Sequence, residues 1–365
     1  MIVYLLLLTA ILILGIAIHP GKTEKRKKRF LWFSFVLLVM LSGFRDVSVG
    51  VDTASYVALF QNIDLLDFNL SRFEPGFLYY VKLVHSISDN VSFFLFVNSI
   101  FCIGLPCIFV YKYSEEACLS VLLFITLKSY FFQMTGLRQA MAIAFVLTAF
   151  IFILKKRSKM RCFLAILMIL LAASFHTIAI LAIVPYIIWI WPNRRFVDMI
   201  NPKATLRWTI ILSFIAFVSF PYIMRLVGMI LPQYTLYFSG TWSDSNYSAS
   251  LFKFLIQLIF LAVGVYYIQR KKQITDVDRL SMLMLMASVI VATLAMRMEI
   301  WGRLLGLFSI YTSLIWVPSF VSVQMNGKDR IILKSLIVLF SLAYMIVTFV
   351  FRPEWDGVVP YMFIK

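Results

Sequence analysis

The side chains best equipped for chemistry are four arginines at the ends of apolar runs. Arg45 follows one run, Arg138 opens another, and Arg297 and Arg303 bracket the turn into a third. A guanidinium stays charged in apolar surroundings and presents a planar fork that binds phosphate oxygens in pairs. Brought together between apolar walls, such groups suit a lipid-linked phosphate or pyrophosphate. The plainer reading is that each arginine anchors a helix end at the lipid headgroups. Carboxylates accompany them: Asp46, Asp52, Glu74 and Glu299. Asp52 precedes "TASYVALFQNI", in which Tyr56, Leu59, Phe60 and Ile63 recur at helical spacing. That pattern predicts an amphipathic surface helix with Asp52 at its N-cap, and capping competes with catalysis as the role of Asp52. Glu299 and Arg303 stand four apart, which suits a helical ion pair, and Glu74 before Pro75 suits the end of a turn. His176, in "AASFHTIAI", is either a hydrogen-bonded interior residue or a proton-transfer group.

The elements that must position these groups follow from hydropathy. Of 365 residues, 62% are hydrophobic and 14% charged, with a mean hydropathy of +0.92. A soluble domain is more polar. The chain reads as an all-α polytopic transmembrane helical bundle forming one integral membrane domain, 1–365. By length it has about twelve spans: 2–19, 30–43, 91–111, 117–134, 139–154, 162–175, 177–191, 208–224, 251–268, 280–296, 304–323 and 331–350. The first resembles a retained helix, not a cleaved signal. Basic loops at 21–29, 155–161, 193–207, 269–279 and 326–330 fall on one side under this count. With Lys112 and Lys334 they hold 23 of the 34 Lys and Arg residues, which makes that side cytoplasmic. Both termini then face outward, as do the excursions 44–90 and 225–250. The segment 73–87, "FEPGFLYYVKLVHSI", is expected to re-enter or lie on the outer surface, with Pro75 in its first turn. The net charge of +17 is thus a topology signal, not a nucleic-acid site. The four cysteines read as buried hydrophobes. "TDVDR" (275–279) reads as a solvated loop despite its paired aspartates. No outward cluster has metal-ligand spacing, so neither metal nor other cofactor is expected.

Several stretches share wording with one family. "GFRDVSVGVDTASYVALF" (43–60) is similar to the Arg…Val-Gly-x-Asp-x-x-x-Tyr-x-x-x-Phe hallmark of the EpsG family of bacterial polysaccharide proteins. "FEPGFLYYVKLV" resembles its Glu-x-Gly-Phe element, "TGLRQAMAIAF" its Arg-Gln helix start, and "EIWGRLLGLFSIY" its late Arg-Leu element. "SFHTIAILAIVPY" resembles its His-x-Ser-Ala element, from which Thr177 and Ile178 depart.

The resemblance implies a Wzy-type polymerase of O-antigen or a related surface polysaccharide at the inner membrane. Undecaprenyl-pyrophosphate-linked repeat units would be joined at its periplasmic face. Besides that substrate and membrane lipids, a chain-length regulator protein is an expected partner. In such a reaction an acceptor hydroxyl attacks the donor's anomeric carbon, and arginines can take up the departing charge. Arg45, Arg138 and Arg303 are the expected pyrophosphate ligands, with Arg297 in reserve. If Arg45 is one, lysine should fail in its place. The candidate bases are His176, Asp52 and Glu74. Tyr56, Phe60, Tyr79 and Tyr80 are candidates to stack sugars or merely to pack. A lipid-oligosaccharide flippase and an O-antigen ligase fit the same topology. Charges gathered at one face favour chemistry over translocation.

Overall fold

The computed structural model describes residues 1–154, 158–190, 197–198, 200–230, 247–298, 301–323 and 327–364. Among these it is all-helical, with no strands. The chain divides into two compact units, Met1–Tyr186 with Asn326–Lys365, and Ile187–Met325. The second boundary falls at the basic loop 326–330, whereas the first, at Tyr186, lies inside an apolar run.

In the first unit, α1 (Ile2–Ile18) and α2 (Glu24–Gly43) are followed by α3 (Thr53–Gln61) and α4 (Pro75–Ile87). Then come α5 (Val91–Tyr113), α6 (Ala117–Thr126), α7 (Ser129–Thr135), α8 (Leu137–Leu154) and α9 (Lys159–Phe175). A 3-10 stretch, Thr177–Ala182, runs into α10 (Ile183–Ile190), within which the boundary between the units falls after Tyr186. The second unit holds α11 (Pro202–Val218), α12 (Phe220–Ile230), α13 (Tyr247–Ile268) and α14 (Asp276–Arg297). In α15 (Gly302–Tyr311) the helix widens to a π-turn at Thr312–Trp316 and continues as α16 (Val317–Val321). Helix α17 (Gly327–Phe351) belongs again to the first unit.

Among the described residues six helical stretches are long and apolar enough to cross a membrane, and up to eight if each of two bent pairs is one span. The expectation of about twelve spans is therefore met only in part. The run 117–134 is a broken helix, bent by 49° between α6 and α7. Lys128 stands at the break in the left-handed region, φ 73°. The run 208–224 bends by 68° between α11 and α12. Pro221 enters α12 there and has no N–H for the turn before it. Helix α2 begins inside the basic run 21–29, not after it. Thr23 caps it by accepting from the Arg26 N–H at 3.2 Å, and Glu24 occupies its first turn. Helix α4, at 13 residues, is too short to cross. Phe77, Leu78, Val81 and Val84 are buried on one face, whereas Tyr79, Lys82 and Leu83 are exposed.

Two sequence readings change. "TDVDR" is not a solvated loop. Thr275 and Asp278 form a reciprocal capping box at the start of α14. The Asp278 side chain is fully buried and receives Lys271 Nζ at 3.1 Å and the Ser319 hydroxyl. Of the cysteines, only Cys102 is fully buried.

Candidate functional site

Two polar clusters in the first unit grow out of residues 44–90. One is closed onto backbone carbonyls and the other is partly open.

The closed cluster centres on Arg45, which lies past the end of α2 and is completely buried. Its Nη1 donates to the Ser42 carbonyl and lies 3.5 Å from the Ser42 hydroxyl. Nε donates to Val49 O at 3.3 Å, and Nη2 donates to Met134 O at 3.2 Å. Ser42 and Met134 fall in the last turns of α2 and α7, whose carbonyls have no partner within their own helices. A cation at two helix C-termini also meets the negative ends of both dipoles. Burial pulls the guanidinium down to about 10, so it remains charged at neutral pH. Thr53 Oγ1 lies 2.7 Å from Val49 O and 3.0 Å from Met134 O. Gly50 has φ +99°, and a Cβ there would meet Met134 O at 2.4 Å, so only glycine allows that approach.

The chain beyond α17 braces the same loop. Gly50 N–H donates to Gly357 O at 2.8 Å, and Asp46 N–H to Met362 O at 2.9 Å. Thr135 Oγ1 donates to the Asp356 carbonyl at 2.7 Å. The Asp356 carboxylate pairs with Lys128 at 2.5 Å. Arg45 thus clamps the chain itself, its three guanidinium nitrogens all turned onto backbone carbonyls. The sequence shows its charge but not that carbonyls consume the fork.

The second cluster is more open. Glu74 stands at the N-cap of α4 but does not cap it. One carboxylate oxygen, Oε2, pairs with Arg138 Nη1. The other, Oε1, accepts from the Thr177 N–H at 3.1 Å and lies 3.3 Å from the Thr177 hydroxyl. The Tyr56 phenol lies within electrostatic reach of the Arg138 guanidinium. Burial pushes the Tyr56 phenol up, and Arg138 opposes that shift. The Arg138 guanidinium also lies over the Phe73 ring, 4.7 Å from its centroid. Arg138 and Glu74 side chains remain 20% and 16% exposed, so solvent or a ligand reaches them. Gly76 lets α4 press against α9. A Cβ there would lie 2.1 Å from Ser174 Oγ and 2.8 Å from Ser174 O.

The other candidates divide as follows. His176 is half-buried where α9 ends, and the next residue is the Thr177 that binds Glu74. Asp52 occupies the N-cap position of α3, as expected, yet its exposed side chain makes no cap bond. Its charge is one of the smaller influences that raise the Tyr56 phenol. Phe60 is fully buried and stacked on Phe94 at 4.6 Å, the packing alternative of its two expected roles. Tyr80 packs among Phe77, Phe101 and Phe175. Tyr79 is exposed beside Phe68. Arg297 and Arg303 are exposed residues of the second unit, the former 4.9 Å from the Phe217 centroid. Glu299 and most of 225–250 lie outside the described residues.

Sequence reading missed Thr177, Phe73 and the Lys128–Asp356 pair. Lys128 had a signal, as a lone charge in "LLFITLKSYFF". Thr177 had none, because its partner stands 103 positions away.

The class these features define is an all-helical integral membrane protein with a charged, partly open cluster beside a short surface helix. A family model described as the EpsG family matches residues 28–363, and the chain belongs to that family, which covers polysaccharide polymerase-like proteins. The match runs into the segment that braces Gly50 and Asp46. No curated protein and no solved structure matches the chain.

Proposed function

We propose that this protein is a polymerase of O-antigen or a related surface polysaccharide. It joins undecaprenyl-pyrophosphate-linked repeat units at the periplasmic face of the bacterial inner membrane, and the Arg138 cluster is its catalytic centre. Family membership supports the reaction class, and one observation supports the place. Arg138 is a half-buried guanidinium held by a carboxylate, a phenol and a ring, without being consumed by backbone carbonyls as Arg45 is.

The acceptor hydroxyl attacks the anomeric carbon of the donor glycan. The new glycosidic bond forms as the bond from that carbon to the diphosphate oxygen breaks. Arg138 takes up the charge that develops on the diphosphate. Losing such a donor costs about 2.7–4 kcal/mol of barrier, roughly a factor of 10²–10³. Both oxygens of Glu74 are engaged with Arg138 and Thr177, so Glu74 orients the guanidinium and is not the base. Asp52, exposed and capping nothing, receives the hydroxyl proton. His176 is the second candidate for that task.

The topology proposed with this reading has twelve crossings, the helices with basic ends facing the cytoplasm and 44–90 facing out. Ser48 and Ser158 are both exposed. A single cysteine at 48 should label from outside intact cells and one at 158 should not; the reverse pattern would sink the topology.

Purified protein given lipid-diphosphate-linked repeat units should build a ladder of chain lengths. Arg138→Gln should slow it about 10²–10³-fold, and near-normal ladders from that variant would remove Arg138 from the chemistry. Cells lacking the protein should carry a single capped repeat. Absence of surface glycan would point to a flippase, and long glycan left on carrier lipid to a ligase.

A further inference from the structure

Phe73 carries not one guanidinium but two. Arg138 lies 4.7 Å from its ring centroid and Arg72 lies 5.2 Å from the same centroid. Because both distances share one origin, the two guanidinium carbons are at most about 9.9 Å apart. Their charges are answered unequally. Arg138 has Glu74, whereas among the described residues no carboxylate pairs with the exposed Arg72. Two like charges on one ring repel each other. Cation–π attraction at a partly exposed ring is worth only about 0.5–1 kcal/mol per cation. An anion that spans both would relieve the repulsion and use both forks.

We infer that Arg72, Phe73 and Arg138 form a two-point clamp for a diphosphate. Arg138 takes the phosphate next to the sugar and Arg72 the phosphate next to the lipid. The inference rests on the lipid-diphosphate reading of the Arg138 site. It adds that the site selects diphosphate over monophosphate lipids, because a single phosphate reaches only one fork. A headgroup phosphate has the same local chemistry but only one phosphorus, so the clamp discriminates against it as well.

The test measures binding of polyprenyl diphosphate, polyprenyl monophosphate and phosphatidylglycerol to the full-length protein in detergent. Wild type should favour the diphosphate. Arg72→Gln should lose that preference, roughly tenfold, with monophosphate binding unchanged, and Arg138→Gln should weaken both polyprenyl lipids. An unchanged ratio in Arg72→Gln overturns the clamp. So does an equal loss for all three lipids, which would make Arg72 a headgroup anchor. A wild type that does not discriminate also overturns it. None of these results touches the Arg138 reading, which fails separately if Arg138→Gln polymerises at wild-type rate.

Discussion

Replacing Arg45 by lysine keeps the charge and removes the fork, and the structure sets what that should do. The guanidinium reaches three carbonyls, Ser42, Val49 and Met134, from three different nitrogens. An ammonium is a single point with three donors. From the shorter path of lysine it can serve one of the helix ends, not both. About two hydrogen bonds from a charged donor are lost, each worth about 1.5–3 kcal/mol. Thr53 Oγ1 still stands 2.7 Å from Val49 O and 3.0 Å from Met134 O, so those carbonyls are not left bare. The expected loss is therefore in the lower range, about 2–4 kcal/mol. Arg45→Met should cost more, since it withdraws the cation from both helix ends. The assay is thermal unfolding of purified protein in detergent, alongside polymerisation normalised to folded protein. Arg45→Lys should unfold at lower temperature and accumulate less in the membrane, with its affinity for polyprenyl diphosphate nearly unchanged. A variant with wild-type unfolding temperature and abolished polymerisation would show that Arg45 meets substrate, and would refute the clamp.

Three further perturbations test neighbouring parts. Lys128→Met strands the Asp356 carboxylate, whose side chain is 13% exposed, and should cost about 3 kcal/mol of stability; an unchanged unfolding temperature would contradict the pairing. Gly76→Ala drives a methyl into Ser174, should cost about 1–3 kcal/mol, and should lower polymerisation by shifting Glu74 at the mouth of α4. Ser174→Ala should rescue it only in part, because the Ser174 carbonyl stays in the way; a Gly76→Ala variant of normal rate and stability would be the refuting outcome. Polymerisation by purified protein should persist in EDTA, since a guanidinium can hold the leaving diphosphate; loss restored by magnesium would refute this.

Much of this was legible in the sequence, and the parts that were not share a cause. Apolar runs mark helices wherever they are long, so α5, α8, α14 and α17 stand close to the expected bounds. Hydropathy does not change across a bend, so the corners at Lys128 and Pro221 were hidden inside runs that read as straight spans. Helical spacing placed Tyr56, Leu59, Phe60 and Ile63 on one buried face, as found. It could not say whether a ring on that face meets a sugar or another ring, and Phe60 meets Phe94. Charge at the ends of apolar runs led to Arg45, Glu74 and Arg138 together. Separating them required knowing which way each side chain turns. Arg45 turns onto carbonyls from positions 42, 49 and 134, and Tyr4 reaches Val358 across 354 positions. Contacts of that span leave no periodic trace.

The two arginines are linked through the corner between α7 and α8. The three residues before Leu137 are each held from a different direction. Met134 O receives Arg45 and Thr53, Thr135 donates to the Asp356 carbonyl, and Gly136 N–H donates to Phe132 O at 2.8 Å. Helix α8 starts from that corner, and Arg138 is in its first turn. In an apolar surrounding, exposed carbonyls at a helix break are costly unless something satisfies them. A buried arginine does so for two helix ends at once. Because the corner is fixed by other groups, Arg138 need not spend its own N–H groups on the scaffold. Its guanidinium pairs instead with Glu74 beside the Tyr56 phenol and the Phe73 ring, side chains that aim it without closing it off. A donor fixed in advance of the reaction stabilises developing charge without reorganising at that moment. On the proposed reading, Arg45 and Arg138 therefore carry one residue type to opposite ends, the first spent on backbone carbonyls and the second left open to the substrate.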